Sequence, residues 1–240
     1  TVKVVNGQMY ALTTENTAPA SDDPEWQRLT GDTFEFSNLS AGEVYYLWTF
    51  IPEADNYKPS AASSVQIATL PAITTPLLGS GTYGDEYSAM LTADSVDAVT
   101  WSIVGALPAG LSLENNVISG TPTAADVNGV TFTVRATVNG VSAQKEFTVV
   151  VQQRAITVEI TGVSSFYGSA PATPEAIVTS GSIVNGDTPY SLSSTVTSAS
   201  SVGSYDIIGK GENADYAITF VNEAGSYRVE PREVTVTITT

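Results

Sequence analysis

Neither cysteine nor histidine occurs in the 240 residues. Without cysteine there are no disulfide staples, no thiol chemistry and no Cys-ligated zinc; without histidine, Ser-His-Asp and Cys-His catalysis and His-ligated metal centres are excluded. Positive charge is scarce too: nine Lys and Arg stand against 25 Asp and Glu, a formal net charge of −16 spread along the chain. Such a field repels phosphate backbones and anionic headgroups, so nucleic-acid and membrane-surface binding are disfavoured. No run approaches the length of an apolar membrane span, and the first residues carry no basic segment followed by an apolar core. Any signal peptide or wall anchor therefore lies outside this stretch or does not exist.

Helical periodicity with caps is missing as well, and Thr, Val, Ser and Gly dominate instead. Four Val-Asn-Gly triplets punctuate the chain, at Val5–Gly7, Val127–Gly129, Val138–Gly140 and Val184–Gly186. Asn-Gly suits the two central positions of a type I′ turn, in which both residues need positive φ. The third triplet marks the clearest hairpin. Phe132, Val134, Ala136 and Val138 alternate with polar residues before it, and Val141, Ala143, Phe147, Val149 and Val151 keep the period of two after it. The expected fold class is all-β, with tandem small antiparallel modules of the Ig and fibronectin sandwich kind and a third module that is either a sandwich or a β-grasp-like sheet.

Strand-like runs meet short Pro-rich or polar connections near residues 70, 153 and 231. The expected modules are therefore 1–70, 71–153 and 154–231, with 232–240 as the first strand of a further repeat or a terminal strand. RAITVEI at Arg154–Ile160 is echoed by REVTVTI at Arg232–Ile238, which reads as a modular array cut inside its next repeat. Modules of roughly 80 residues bury only about 60 to 65% of their unfolded surface, so each is marginal alone and gains from a neighbour. Connections this short hold neighbours nearly fixed, in a rod with limited bending.

Specific resemblances follow from the runs themselves. TWSI at Thr100–Ile103, LPAGLSL at Leu107–Leu113 and VISGTPT at Val117–Thr123 resemble the Putative Ig domain family, cadherin-like sandwiches found in tandem on bacterial surface proteins. Pro108 and Gly110 break the strand so that Leu111 and Leu113 return to one face, and Asn115-Asn116 forms the turn. FYG at Phe166–Gly168, SGSIVNGDT at Ser180–Thr188, SVGSYDI at Ser201–Ile207 and ADYAITFV at Ala214–Val221 resemble the MBG repeats of bacterial extracellular proteins. NLSAGEVYYLWTF at Asn38–Phe50 is similar to fibronectin type III domains, and that likeness implies Tyr45 as the corner tyrosine, its hydroxyl tied to nearby backbone. Asn16–Glu25 reads as one long loop.

Weighed residue by residue, most of the chemistry is structural. Trp101 is expected as a core anchor under the Asn115-Asn116 turn, with sugar stacking as the alternative. Tyr167, Tyr205, Tyr216 and Phe220 are expected as packing residues. Tyr46, Trp48 and Phe50 alternate with Tyr45 and Leu47, which suits a central strand covered on both faces; an exposed binding face is the alternative. Calcium, which takes oxygen clusters, has candidates at Asp22-Asp23 with Glu25, Asp85-Glu86, Asp94 with Asp97, and Asp126 with Asn128. Solvated loop acids are the plainer reading of each. Two carboxylates suffice for glycosidase chemistry, but nothing marks a pair. Lys3, Lys58, Lys145 and Lys210 are scattered, and neither a Ser-Lys dyad nor a Lys-Asn isopeptide partner for Lys3 or Lys145 is visible.

The expected function is that of a non-catalytic, extracellular bacterial surface segment, an adhesin stalk or binding modules. The alternatives are accessory modules of a secreted carbohydrate-active enzyme and a calcium-stiffened spacer. No catalytic, cofactor-binding or metal residue is assigned. A host or neighbouring-cell protein or glycan is the expected partner, with no nucleic acid, no membrane insertion and a monomeric state.

Overall fold

In the computed structural model, which describes residues 1–54, 58–95 and 97–237, strands, turns and bends are present and no helix occurs among the described residues. The all-β expectation is met. Ile238 of the echoed heptad, with Thr239 and Thr240, lies outside the described residues.

The first stretch holds β1 (Val2–Lys3), β2 (Met9–Thr13), β3 (Thr33–Phe34), β4 (Val44–Phe50) and β5 (Ser63–Ala68). β1 pairs with β3, and the second sheet runs β2-β4-β5 with β4 central. Alternation along β4 therefore fills two layers. Trp48 and Phe50 pack with Trp26 and Ala11, while Leu47 packs with Tyr10 and Leu29 on the opposite face. The Asn16–Glu25 loop forms no strand and lies against the Trp48 and Phe50 face: the Trp26 indole donates to Ala20 O at 2.8 Å and meets the Phe50 ring edge-on at 4.5 Å. Trp48 and Phe50 are thus buried and Tyr46 half-buried against them, as suits a central strand.

The middle stretch holds β6 (Ala72–Ile73), β7 (Gly81–Thr82), β8 (Tyr87–Met90), β9 (Ala93–Asp94), β10 (Thr100–Val104), β11 (Leu111–Glu114), β12 (Val117–Gly120), β13 (Asp126–Val138) and β14 (Val141–Gln152). One sheet runs β10-β13-β14-β7, another β11-β12-β8, and β6 pairs with β9. Ile118, Phe132, Val134, Phe147 and Val149 close the space between the two larger sheets with Leu78, Tyr87 and Leu91. Each such side chain contributes about 1.5 to 3 kcal/mol when fully buried. Two glycines are obligatory beneath β11. A Cβ on Gly110 (φ 88°) would lie 2.1 Å from Thr121 O, and one on Gly120 (φ 139°) would lie 2.2 Å from Gly110 O.

Only one Val-Asn-Gly triplet makes the turn its sequence suits best. Asn139 and Gly140 both have positive φ, 49° and 81°, and close the β13–β14 hairpin with Val138 opposite Val141. In the other three the glycine alone has positive φ. At Asn128-Gly129 the reason is local: the Asp126 carboxylate accepts both amides, at 3.1 and 3.0 Å, and shifts the β13 register there. That is a bulge held by an aspartate.

The last stretch holds β15 (Arg154–Thr161), β16 (Val163–Phe166), β17 (Glu175–Ser180), β18 (Tyr190–Ser194), β19 (Gly203–Tyr205), β20 (Ile207–Gly211), β21 (Tyr216–Val221) and β22 (Tyr227–Glu230). Its sheets run β17-β15-β21, β16-β22-β19 and β18-β20, with β15–β21 and β16–β22 parallel. Tyr227, Val229, Ile207 and Ile160 form one apolar cluster, and Ile156, Val158 and Tyr216 form another. No sheet joins strands from two of these stretches. Among the described residues, Arg232–Thr237 forms no strand and is exposed.

Candidate functional site

The second apolar cluster of the last stretch contains an outsider. Tyr83, the residue after β7, is only 8% exposed and lies among Ile156, Val158, Tyr216 and Val184. Its ring meets that of Tyr216 edge-on with centroids 5.5 Å apart. Gly84 makes the approach geometrically feasible: its φ is 75°, and a Cβ there would lie 2.4 Å from a Val184 methyl. A turn with glycine thus pushes an aromatic ring out of one folded unit into the core of the next.

Polar groups close around the ring. The Tyr83 hydroxyl donates to Asp187 Oδ2 at 2.9 Å, and the Tyr216 hydroxyl donates to the same oxygen at 2.5 Å. The Val184 amide in turn donates to the Tyr216 oxygen at 2.8 Å. Burial, then the hydrogen bond to Asp187, pushes the Tyr83 phenol up to about 12, and the same causes raise that of Tyr216. Both phenols stay protonated at neutral pH, so they are donors that fasten a carboxylate and not bases.

Arg154, at the start of β15, spans the same seam. Its Nε donates to Tyr83 O at 3.1 Å, one terminal nitrogen donates to Ser182 Oγ at 2.9 Å, and the other pairs with Asp85. The side chain is 14% exposed. Asp215 accepts the Ala125 amide at 2.7 Å, adding a carboxylate bond from the opposite direction. Asp85, one of the calcium candidates, is therefore engaged by a guanidinium.

The other expected residues fall elsewhere. Asp23 accepts the Glu25 amide, Asp97 accepts the Asn139 side-chain amide at 2.7 Å, and Asp126 holds its bulge. Among the described residues no three acids gather in a way that could hold a metal ion. Glu15, Asp23 and Glu25 line one open depression beside Tyr45, and the Tyr45 hydroxyl accepts the Ser40 amide at 2.9 Å, as the corner pattern implies. The Lys145 ammonium donates to Thr75 O and lies 5.3 Å from the Phe147 ring centroid, with no asparagine in that set; Lys3 is exposed.

One expectation is met in part and another needs correction. Trp101 is half-buried: it packs against the middle core yet also walls an open depression with Val99, Thr100, Leu113, Asn115 and Asn116. Its partner across the sheet is the small Ala136, which leaves part of the indole uncovered. Tyr167 is 50% exposed and not a packing residue, because it follows the last paired residue of β16 and sits in a turn with Gly168 at φ 76°. Tyr216, Phe220 and Tyr205 do pack, Phe220 edge-on to Tyr190 at 5.8 Å.

Residues 70–152 match the family model described as "Putative Ig domain", and residues 156–231 match that described as "MBG domain (YGX type)". Both are domain types that typically lack catalytic activity. No curated protein matches the chain. Among solved structures, human protocadherin-24 EC1-2 in its Form II crystals aligns at 14% identity over 63% of this chain and 99% of that one, with a TM-score of 0.32. The titin I67-I69 E-to-A variant aligns at 13% over 89% and 87%, TM-score 0.32. The N-terminal four Ig domains of Dscam1 isoform 6.44 align at 10% over 93% and 64%, TM-score 0.28. The chain spans about two thirds of the first protocadherin-24 chain, 66%. Superpositions at this level carry no argument about function. No helix among the described residues is long and apolar enough to cross a membrane.

Sequence reasoning passed over Tyr83 and Asp187. The signal that was available is Arg154, the first residue of the echoed heptad, placed where one module would meet the next.

Proposed function

We propose that the chain is a non-catalytic segment of an extracellular bacterial surface protein, a stalk of β modules that keeps a recognition element at a fixed reach. The observation that supports this reading is the Tyr83–Asp187–Arg154 seam. A flexible string of binding modules has no use for a tyrosine inserted into its neighbour's core, whereas a spacer that must transmit position does. The first module is read here as fibronectin type III-like, on the strength of the Tyr45 hydroxyl bond. Passing the 240-residue chain over arrays of glycans and extracellular-matrix proteins, with and without calcium, tests the reading. Absence of saturable binding is the expected result.

One observation favours a second reading, that of an accessory carbohydrate-binding segment. The half-covered Trp101 beside Asn115 and Asn116 combines a stacking face with amide groups. A saturable glycan hit that Trp101→Ala abolishes would replace the stalk with that function.

A further inference from the structure

The turn after β16 repeats the turn after β7 in its Tyr-Gly pair and its backbone hydrogen bonds. β7 runs parallel to β14, pairing Gln152 with Thr82, and the next residue, Tyr83, donates its amide to Gln152 O at 3.0 Å. β16 runs parallel to β22, pairing Glu230 with Phe166, and the next residue, Tyr167, donates its amide to Glu230 O at 2.9 Å. Gly84 and Gly168 follow, with φ of 75° and 76°. Asp85 and Ser169 then close the turns onto Thr82 O and Phe166 O at 3.2 and 3.0 Å. Arg154 stands two residues after Gln152 and pairs with Asp85; Arg232 stands two residues after Glu230, its guanidinium 3.3 Å from Ser169 Oγ.

Besides Ser169 in place of Asp85, the covering differs. Tyr83 is 8% exposed beneath Val184, Asp187 and Tyr216, whereas Tyr167 is 50% exposed. A Cβ on Gly84 would strike Val184, but one on Gly168 would meet nothing within 4 Å. Beside Tyr167, Phe166 is exposed too, and the segment from Arg232 repeats the heptad whose strand, β15, is central in its own sheet.

We propose that Tyr167, Gly168, Ser169 and Arg232 form a docking surface for a β module of the same kind as residues 154–231, beginning at Arg232, which closes a tyrosine and a carboxylate over Tyr167. The third module then carries both halves of a head-to-tail joint. Its Val184–Asp187 loop covers the preceding tyrosine, and its own Tyr167 is presented to the following module. Such a head-to-tail contact is heterologous, the kind that can be repeated from one module to the next. Ser169 in place of Asp85 replaces an ion pair with a hydroxyl contact, so this joint depends more on its aromatic ring than on charge. The inference rests on the reading of the Tyr83 seam as a fixed connection.

The test extends the full chain, placing a second copy of residues 155–231 directly after Arg232, with fluorotyrosine introduced at position 167 alone or at position 83 alone. Fluorine resonances are followed against a soluble paramagnetic quencher. In the 240-residue chain position 167 is expected to be quenched and position 83 protected; in the extended chain position 167 loses its quenching and approaches position 83. Arg232→Ala in the extended chain restores part of the quenching. If position 167 remains quenched while position 83 is protected, the docking surface is refuted and the stalk reading stands. If both positions are quenched, the stalk reading fails as well. An appended copy that does not fold there, by circular dichroism, also overturns the inference, and so does a glycan that saturably protects position 167 of the 240-residue chain.

Discussion

The seams on either side of the middle module are built differently. At the first, Gly42 rests against Val138 and Ser95, where a Cβ would lie 2.8 Å from Ser95 Oγ, and the Asn139 side-chain amide reaches Gly42 O at 3.5 Å. Here a glycine backbone meets the side chains of Ser95, Val138 and Asn139. At the second, an aromatic ring is buried, two phenols share one carboxylate oxygen, and a guanidinium ties three groups. The difference teaches that a short linker does not by itself fix two modules. If stiffness comes from side chains that enter the neighbour's core, the expected outcome is bending at the first seam and rigidity at the second.

The largest effect is expected from Tyr83→Ala. It removes a large buried ring and should destabilise the second seam by about 3 kcal/mol, read as a separate, earlier unfolding transition of the third module by calorimetry. Asp187→Ala leaves two buried hydroxyls without their acceptor and should cost about 2 kcal/mol, with the first seam unchanged. Alkali should loosen the same seam. The Tyr83 phenol is raised in the folded state to about 12, so the stability it contributes is fully present below the ordinary phenol value near 10 and is lost as the pH rises toward 12. A melting series across that window should fall more steeply for the native chain than for Tyr83→Phe.

Gly42→Ala sharpens the comparison from the other side. The residue has φ 75° and a tight neighbour, so the substitution should cost about 1 kcal/mol and alter the first seam alone. Asp85→Ala should have the smallest effect, below about 1 kcal/mol, because its carboxylate is largely exposed and salt-screened.

What was legible in the sequence was local. The Val138–Gly140 hairpin, the return of Leu111 and Leu113 to one face, the two-sided β4 and the Tyr45 hydroxyl bond all depend on neighbours a few residues away or on alternation. The second seam was not legible, because its partners are remote: Tyr83 meets Asp187 across 104 positions and Arg154 across 71. Alternation also misleads at strand ends. Tyr167 continues an alternating run yet falls just beyond the pairing of β16, where inside and outside lose their meaning. Trp101 faces inward on parity, but parity does not say how far the opposing sheet extends over a large ring.

Because the chain has no cysteine, introduced thiols can be spin-labelled without background, and the decisive measurement uses exposed positions on each module. Ser64→Cys with Ser112→Cys reports across the first seam, and Ser112→Cys with Ser164→Cys across the second. Pulsed dipolar spectroscopy should give a narrow distance distribution across the second seam that broadens in Tyr83→Ala, and a broader distribution across the first. Equal breadth across both seams, unchanged by Tyr83→Ala, would contradict the account.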